Sequence, residues 1–188
     1  MKALITGATS GIGRDMALIL ARRGCELIIA SRDEKKMAQV QRRLSRYVPV
    51  RTIRADLSQE ADCYRLYEQV KEEKIDILIN NAGFGAFGLF AETPLETELN
   101  MLDLNVRAVH ILTKLFLLDF RKRNSGYILN VASSAGFLGG RSPILGSCFF
   151  GAGFFFFKRL SFGAPCFAAG FFRGAGFFPS AGRLLGAS

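Results

Sequence analysis

A chain of 188 residues with 49% hydrophobic content is long enough to bury one substantial core, which excludes a disordered chain. The formal net charge is +9, yet no basic stripe interleaved with aromatics runs through the first 140 residues, so nucleic acid is not an expected partner. Four cysteines (Cys25, Cys63, Cys148, Cys166) show no metal-ligand spacing and His110 is the sole histidine, which excludes a multi-histidine metal site and a histidine-based triad. No bound metal is expected, and the thiols read as reduced and mostly buried.

Lys2–Thr6, "KALIT", is predicted to be a short buried strand running into the glycine turn "GATSGIG". A helix over Ile12–Arg23 follows, with Ile12, Met16, Ile19 and Leu20 sharing one face and Gly24 ending it. Cys25–Ala30 is a second strand, Asp33–Arg46 a charged helix, and "VPVRTIRA" a third strand leading to Asp56. Ser58 is expected to cap the next helix, whose Glu60 and Asp62 suit its positive end. "IDILI" (Ile75–Ile79) is continuously apolar, as a central parallel strand requires. Thr93-Pro94-Leu95-Glu96 forms a capping box opening helical sequence to about Arg123, and Gly126–Ala132 is a fifth strand. The alternation predicts an α/β fold, a Rossmann-type doubly wound parallel sheet, incomplete at its C-terminal end. Ligands of such sheets bind at the carboxyl ends of the strands. A strand beginning within two residues of Met1 leaves no room for a signal peptide, so cytoplasmic residence is expected.

The chemistry-bearing residues cluster at those carboxyl ends. Gly7, Gly11 and Gly13 lie between a strand and a helix, where a missing Cβ lets the backbone approach a pyrophosphate and free helix N–H groups face it. "NNAG" (Asn80–Gly83) follows the fourth strand, Asn105 falls in the long helix, and Ser133-Ser134 follow the fifth strand. Jointly these stations resemble the short-chain dehydrogenase/reductase family over about residues 2–140. The resemblance implies that Gly7, Gly11 and Gly13 bind the dinucleotide phosphates, that Thr6, Ser10 and Ile12 beside them also bind the cofactor, and that Asp56 and Leu57 contact the adenine. It gives Asn80, Ala82 and Gly83 to the central strand and the adenine ribose. Asn105 becomes the catalytic asparagine that holds a relay water, and Ser133, with Ser134 as the fallback, the serine that hydrogen-bonds the substrate oxygen. NADP is chosen over NAD because the second strand ends in Ser31 and Arg32, which suit a 2′-phosphate, while Asp33 beside them could accept a ribose hydroxyl.

The pattern then breaks. The family's proton donor is the tyrosine of a YxxxK pair; its place falls on Gly146 and the lysine's on Phe150, and the only tyrosines are Tyr47, Tyr64, Tyr67 and Tyr127. Residues 146–188 hold twelve phenylalanines and nine glycines and lack Asp, Glu, Asn, Gln, Val, Ile, Thr and Tyr, a poor composition for strands or amphipathic helices. Two domains are therefore read: a dinucleotide-binding domain over 1–145 and a Phe/Gly/Ala-rich tail over 146–188. A change of reading frame or gene model near Arg141 is the simplest source of the tail. It is expected to pack poorly on the domain, leaving the fifth strand with an open edge. The reading for function is an NADP-dependent oxidoreductase acting on a small-molecule alcohol or carbonyl, catalytically incomplete in this chain. The alternative is a non-enzymatic dinucleotide-binding or structural remnant, associated with a membrane surface through the tail. The longest apolar run there is too short to span a bilayer, and a membrane is not the expected partner. The resemblance implies a homo-oligomer, yet one of the two helices that usually build its surface falls in the divergent stretch.

Overall fold

The computed structural model describes residues 1–86, 91–132, 157–159 and 167–168. Five parallel strands form its centre: β1 (Lys2–Thr6), β2 (Glu26–Ser31), β3 (Val50–Arg54), β4 (Ile77–Asn80) and β5 (Tyr127–Asn130). Their spatial order is β3-β2-β1-β4-β5, so the chain reverses direction across the sheet between β1 and β4. That switch point opens a crevice at the carboxyl ends of the strands. Helices α1 (Gly11–Arg22) and α2 (Glu34–Leu44) pack with one apolar cluster, and α3 (Glu60–Val70) and α5 (Ala108–Lys122) with the other. β1 is central because its last four residues are buried on both faces.

Several local expectations are corrected. α1 buries Gly13, Met16, Ala17 and Ala21, while Ile12 and Ile19 are exposed; the helix approaches the sheet on its small residues, so bulky ones turn outward. Gly24 does end this helix, at φ +76°. Ser58 does not cap α3: Gln59 holds the cap position, and Ser58 instead donates from its hydroxyl and its N–H to Asp56 Oδ1 in a local turn. The predicted capping box is displaced. Pro94 is extended (φ −64°, ψ 130°), α4 (Leu95–Leu102) starts after it, and Thr93 Oγ1 reaches Glu98 rather than Glu96.

The predicted long helix is interrupted. A π-helical turn, Asp103–Arg107, separates α4 from α5. The open edge expected at β5 is also corrected. A short strand β6 (Phe157–Arg159) pairs antiparallel with β5, matching Leu129 with Phe157 and Tyr127 with Arg159, and β7 (Phe167–Ala168) pairs with β6. An unpaired edge offers a row of free N–H and C=O groups that any extended segment satisfies. The remainder of the tail, with Ser133, Ser134, Cys148 and Cys166, lies outside the described residues. Cys25 and Cys63 are buried free thiols as expected, and burial pushes Cys63 up to about 11.

Candidate dinucleotide cleft

A cleft of about 930 Å³ opens at the switch point. Its walls are the β1–α1 turn, the ends of β2 and β3, residues 81–85, one face of the π turn and α5, and Asn130–Ala132. Of the residues singled out in the sequence, Gly7, Ser10, Gly11, Ile12, Ser31, Arg32, Asp56, Leu57, Ala82, Gly83 and Asn105 line it.

Thr6, Gly13 and Asn80 stand behind the wall and shape it. Thr6 Oγ1 accepts hydrogen bonds from the N–H groups of Asn81 and Ala82, both at 3.0 Å, and donates to the Ile79 carbonyl at 3.4 Å. Asn81, which sequence reasoning passed over, donates from Nδ2 to the carbonyls of Thr6 (3.1 Å) and Gly7 (3.0 Å). The residues after β4 thereby lock the turn after β1. This lock sets the glycines apart. A Cβ at Gly7 would sit 2.7 Å from Ala82 Cα, and one at Gly13 would overlap the Asn81 amide and lie 2.6 Å from the Gly7 carbonyl. These two glycines serve close packing within the chain. Gly11, at φ +51°, would meet nothing with an added Cβ, so of the three its need for glycine is one of backbone conformation and not of packing.

Ser10 is the N-cap of α1, and its side chain makes no capping bond; the first turn also carries no acid. The N–H groups of that turn therefore lack intrahelical acceptors and point, with the positive end of the helix, at the cleft. A phosphate group fits this arrangement.

At the end of β2, Asp33 is committed to its own helix. It caps α2 by accepting the Lys36 N–H at 3.0 Å, and that bond holds its carboxyl below the usual carboxylate range. Its other oxygen faces Lys36 Nζ at 3.4 Å. Arg32 is exposed on the cleft wall and has no ion-pair or hydrogen-bond partner among the described residues. Lys36 lines the same wall, one turn into α2, and had no signal in the sequence beyond that spacing. Across the cleft, Asp56 anchors its own loop: its N–H donates to Asp62 Oδ2 and its Oδ1 accepts from Ser58.

Asn105 lies in the π turn. Its Nδ2 donates to the Phe84 carbonyl at 2.8 Å and its Oδ1 accepts the Phe84 N–H at 3.1 Å, an antiparallel pairing of side chain with backbone. Gly83 must be small here, since its Cβ would meet Asn105 Oδ1 at 2.9 Å. The π turn and the Phe84 pairing together fix where Asn105 sits on the cleft wall. Val109 and Thr113 follow on the same face at four-residue spacing and also line the cleft, as do His110 and Asn130. Asn80 Nδ2 bridges Thr113 Oγ1 (3.0 Å) and Asn130 Oδ1 (2.9 Å), tying β4, β5 and α5 together.

A parallel sheet with a glycine turn and an uncapped helix end at the switch point defines a Rossmann-type α/β fold. The family model described as short chain dehydrogenase matches residues 1–145, and the chain belongs to that family. It is 33% identical over 139 residues to an uncharacterized oxidoreductase of Staphylococcus saprophyticus, covering 72% of this chain and 59% of that protein. It is 34% identical over 141 residues to the very-long-chain 3-oxoacyl-CoA reductase of Anas platyrhynchos, covering 71% of this chain and 45% of that enzyme. Among solved structures, a short-chain dehydrogenase from Sphingobium yanoikuyae in complex with NADPH superposes with a TM-score of 0.73 at 34% identity, over 80% of this chain and 59% of that one. The bulky-bulky ketone specific alcohol dehydrogenase from Comamonas testosteroni gives a TM-score of 0.73 at 36% identity, over 80% and 60%. The chain spans roughly half of the length of the curated relatives it matches. The family binds NAD(P), and no helix among the described residues is long and apolar enough to cross a membrane.

Proposed function

We propose that this chain holds NADP in the cleft, in preference to NAD, as the cofactor-binding part of an alcohol or carbonyl oxidoreductase. The observation that carries the cofactor choice is the division of labour after β2. A carboxylate there would serve the ribose hydroxyls of NAD, but Asp33 is spent on the α2 cap while Arg32 has no partner among the described residues. Arg32, with Ser31 beside it, then grips the 2′-phosphate through charge-assisted hydrogen bonds. Gly11 and the α1 N-terminus take the pyrophosphate, with Ser10 and Ile12 flanking it, and Asp56 and Leu57 border the adenine. Thr6, Gly7, Gly13, Asn80, Ala82 and Gly83 hold these groups in place through the packing and bonds described above.

A nicotinamide cofactor bound in the cleft would supply hydride-transfer chemistry toward a substrate carbon. The chain's own contribution at the nicotinamide end would be Asn105, positioned by Phe84 to hold a water, and Ser133, with Ser134 as the fallback, to hydrogen-bond the substrate oxygen. A proton must also reach or leave that oxygen, and no tyrosine follows Ser133. Loss of a general acid costs about 10²–10⁴ in rate, so the chain is a cofactor binder with turnover too slow to serve as a reductase. A non-enzymatic dinucleotide-binding role draws its support from this same missing tyrosine.

Calorimetric titration of the full chain with NADPH and NADH tests the cofactor choice. NADPH should bind more tightly, and Arg32→Ala should weaken NADPH alone by about 1–3 kcal/mol. Equal affinities, or equal losses for both cofactors, would overturn it. Robust reduction of ketones by the unaltered chain would overturn the reading of slow turnover.

A further inference from the structure

The end of the sheet opposite the cleft carries an arrangement that dinucleotide binding does not use. α1 and α2 both finish there, just before β2 and β3 begin. Arg22 and Arg23 end α1, and Arg42, Arg43 and Arg46 end α2; all five are exposed. The two groups meet in space, because the Arg22 guanidinium lies over the Tyr47 ring, 5.9 Å from its centre. Arg42 donates to its own helix at the Ala38 carbonyl, but none of the five has a carboxylate partner among the described residues.

A basic residue in the last turn of each helix is what the helix dipole favours, and one or two suffice for that. Five arginines with no carboxylate partner among the described residues exceed it and repel one another. The sequence around them removes relief: from Lys35 to Ala55 there is no acidic residue. Glu26, at the start of β2, is occupied by Lys2 Nζ at 3.5 Å. Apolar side chains stand among the charges. Ile19, at three- and four-residue spacing from Arg22 and Arg23, is 40% exposed, and Tyr47 is 49% exposed.

From this surface we infer that the arginine end of the domain docks on an anionic lipid bilayer. Arginines reach the headgroup phosphates while Ile19 and Tyr47 enter the interface, where an amphipathic ring is at home. Single-stranded nucleic acid fits less well. It asks for a series of free aromatic faces for stacking, and among the described residues this surface offers the single ring of Tyr47. Docked this way the cleft, at the other end of the strands, stays open to solvent.

The test is cosedimentation of the full chain with vesicles of phosphatidylcholine alone or mixed with phosphatidylserine, at physiological salt. Binding should require phosphatidylserine. Combining Arg22→Gln, Arg23→Gln, Arg42→Gln and Arg46→Gln should weaken it by about fivefold for each charge removed. Arg65→Gln, Lys71→Gln, Arg121→Gln and Lys122→Gln together, an equal change in net charge on other helices, should leave it intact. Equal loss in both sets would assign binding to overall charge or to the tail and overturn the proposal. So would binding of single-stranded RNA that depends on the first set while vesicles are ignored. Should the first set fail to fold, Tyr47→Trp decides: the chain has no tryptophan, so this reporter should shift to the blue with phosphatidylserine vesicles, and an unchanged spectrum would overturn the docking surface.

Discussion

The two helical layers of this domain solve different problems. The α3/α5 layer is built from large side chains: Leu66, Leu112, Phe116 and Phe120 are all essentially inaccessible to solvent. Tyr67 meets Phe116 edge to face with ring centres 5.3 Å apart, and its hydroxyl donates to Asp119 at 2.6 Å; burial and that bond push the phenol up to about 12. The α1/α2 layer has small residues at its closest approach, with Ala3, Ala8, Ala17 and Ala21 at or near zero exposure. Small residues bring the first turn of α1 against Asn81 and Ala82 and so place the cleft. One layer supplies mass to the core, and the other supplies position to the site.

The comparison can be broken most severely at Phe120. Phe120→Ala removes a fully buried ring that also lies under the Arg123 guanidinium, 5.2 Å from its centre, and should cost about 3–5 kcal/mol in urea denaturation. The dinucleotide affinity of the folded fraction should not change. Gly13→Ala works the other way. One methyl group there should cost about 1–3 kcal/mol by overpacking and, by displacing Asn81 from the glycine turn, should abolish measurable NADPH binding in calorimetry. Unaltered binding by Gly13→Ala would show that the lock between the two turns is not what positions the phosphates.

A smaller effect sharpens the picture at the amino ends of the strands. Glu73 bonds Lys2 Nζ at 2.7 Å and also pairs with Arg51, joining β1 and β3 to the segment before β4. Lys2, above all, holds the Glu73 carboxyl below its ordinary value. A carboxylate lowered on folding contributes stability that is complete above its unfolded pKa and is lost as pH falls through the folded one. Glu73→Gln should therefore destabilise by about 0.5–2 kcal/mol near neutral pH. The gap to the unaltered protein should close in denaturation curves taken at progressively lower pH. A gap that widens on acidification would contradict the sign of the shift.

Much of this was legible in the residues. Strands β1 to β5 fall where apolar runs alternate with helical spacing, and the glycine turn announces the crevice. The face of α1 was not legible. Ile12, Met16, Ile19 and Leu20 have helical periodicity, but only contact with the sheet shows that the buried side is the small one. Asn81 stood inside a quoted motif without a role, because its partners, Thr6 and Gly7, are more than seventy residues away. In the sequence Asp33 is free to accept a ribose hydroxyl; only the fold shows its carboxylate capping α2 at the Lys36 N–H.

The order of elements, the parallel sheet and the glycine at Gly11 follow from the sequence, since each depends on backbone preferences and burial patterns that act over a few residues. The π turn around Asn105, the pairing of β5 with β6 and the gathering of five arginines at one end depend on segments brought together from far along the chain. Such arrangements are decided by closure of the sheet and by which groups are left without partners once it closes, and neither is written in any local stretch.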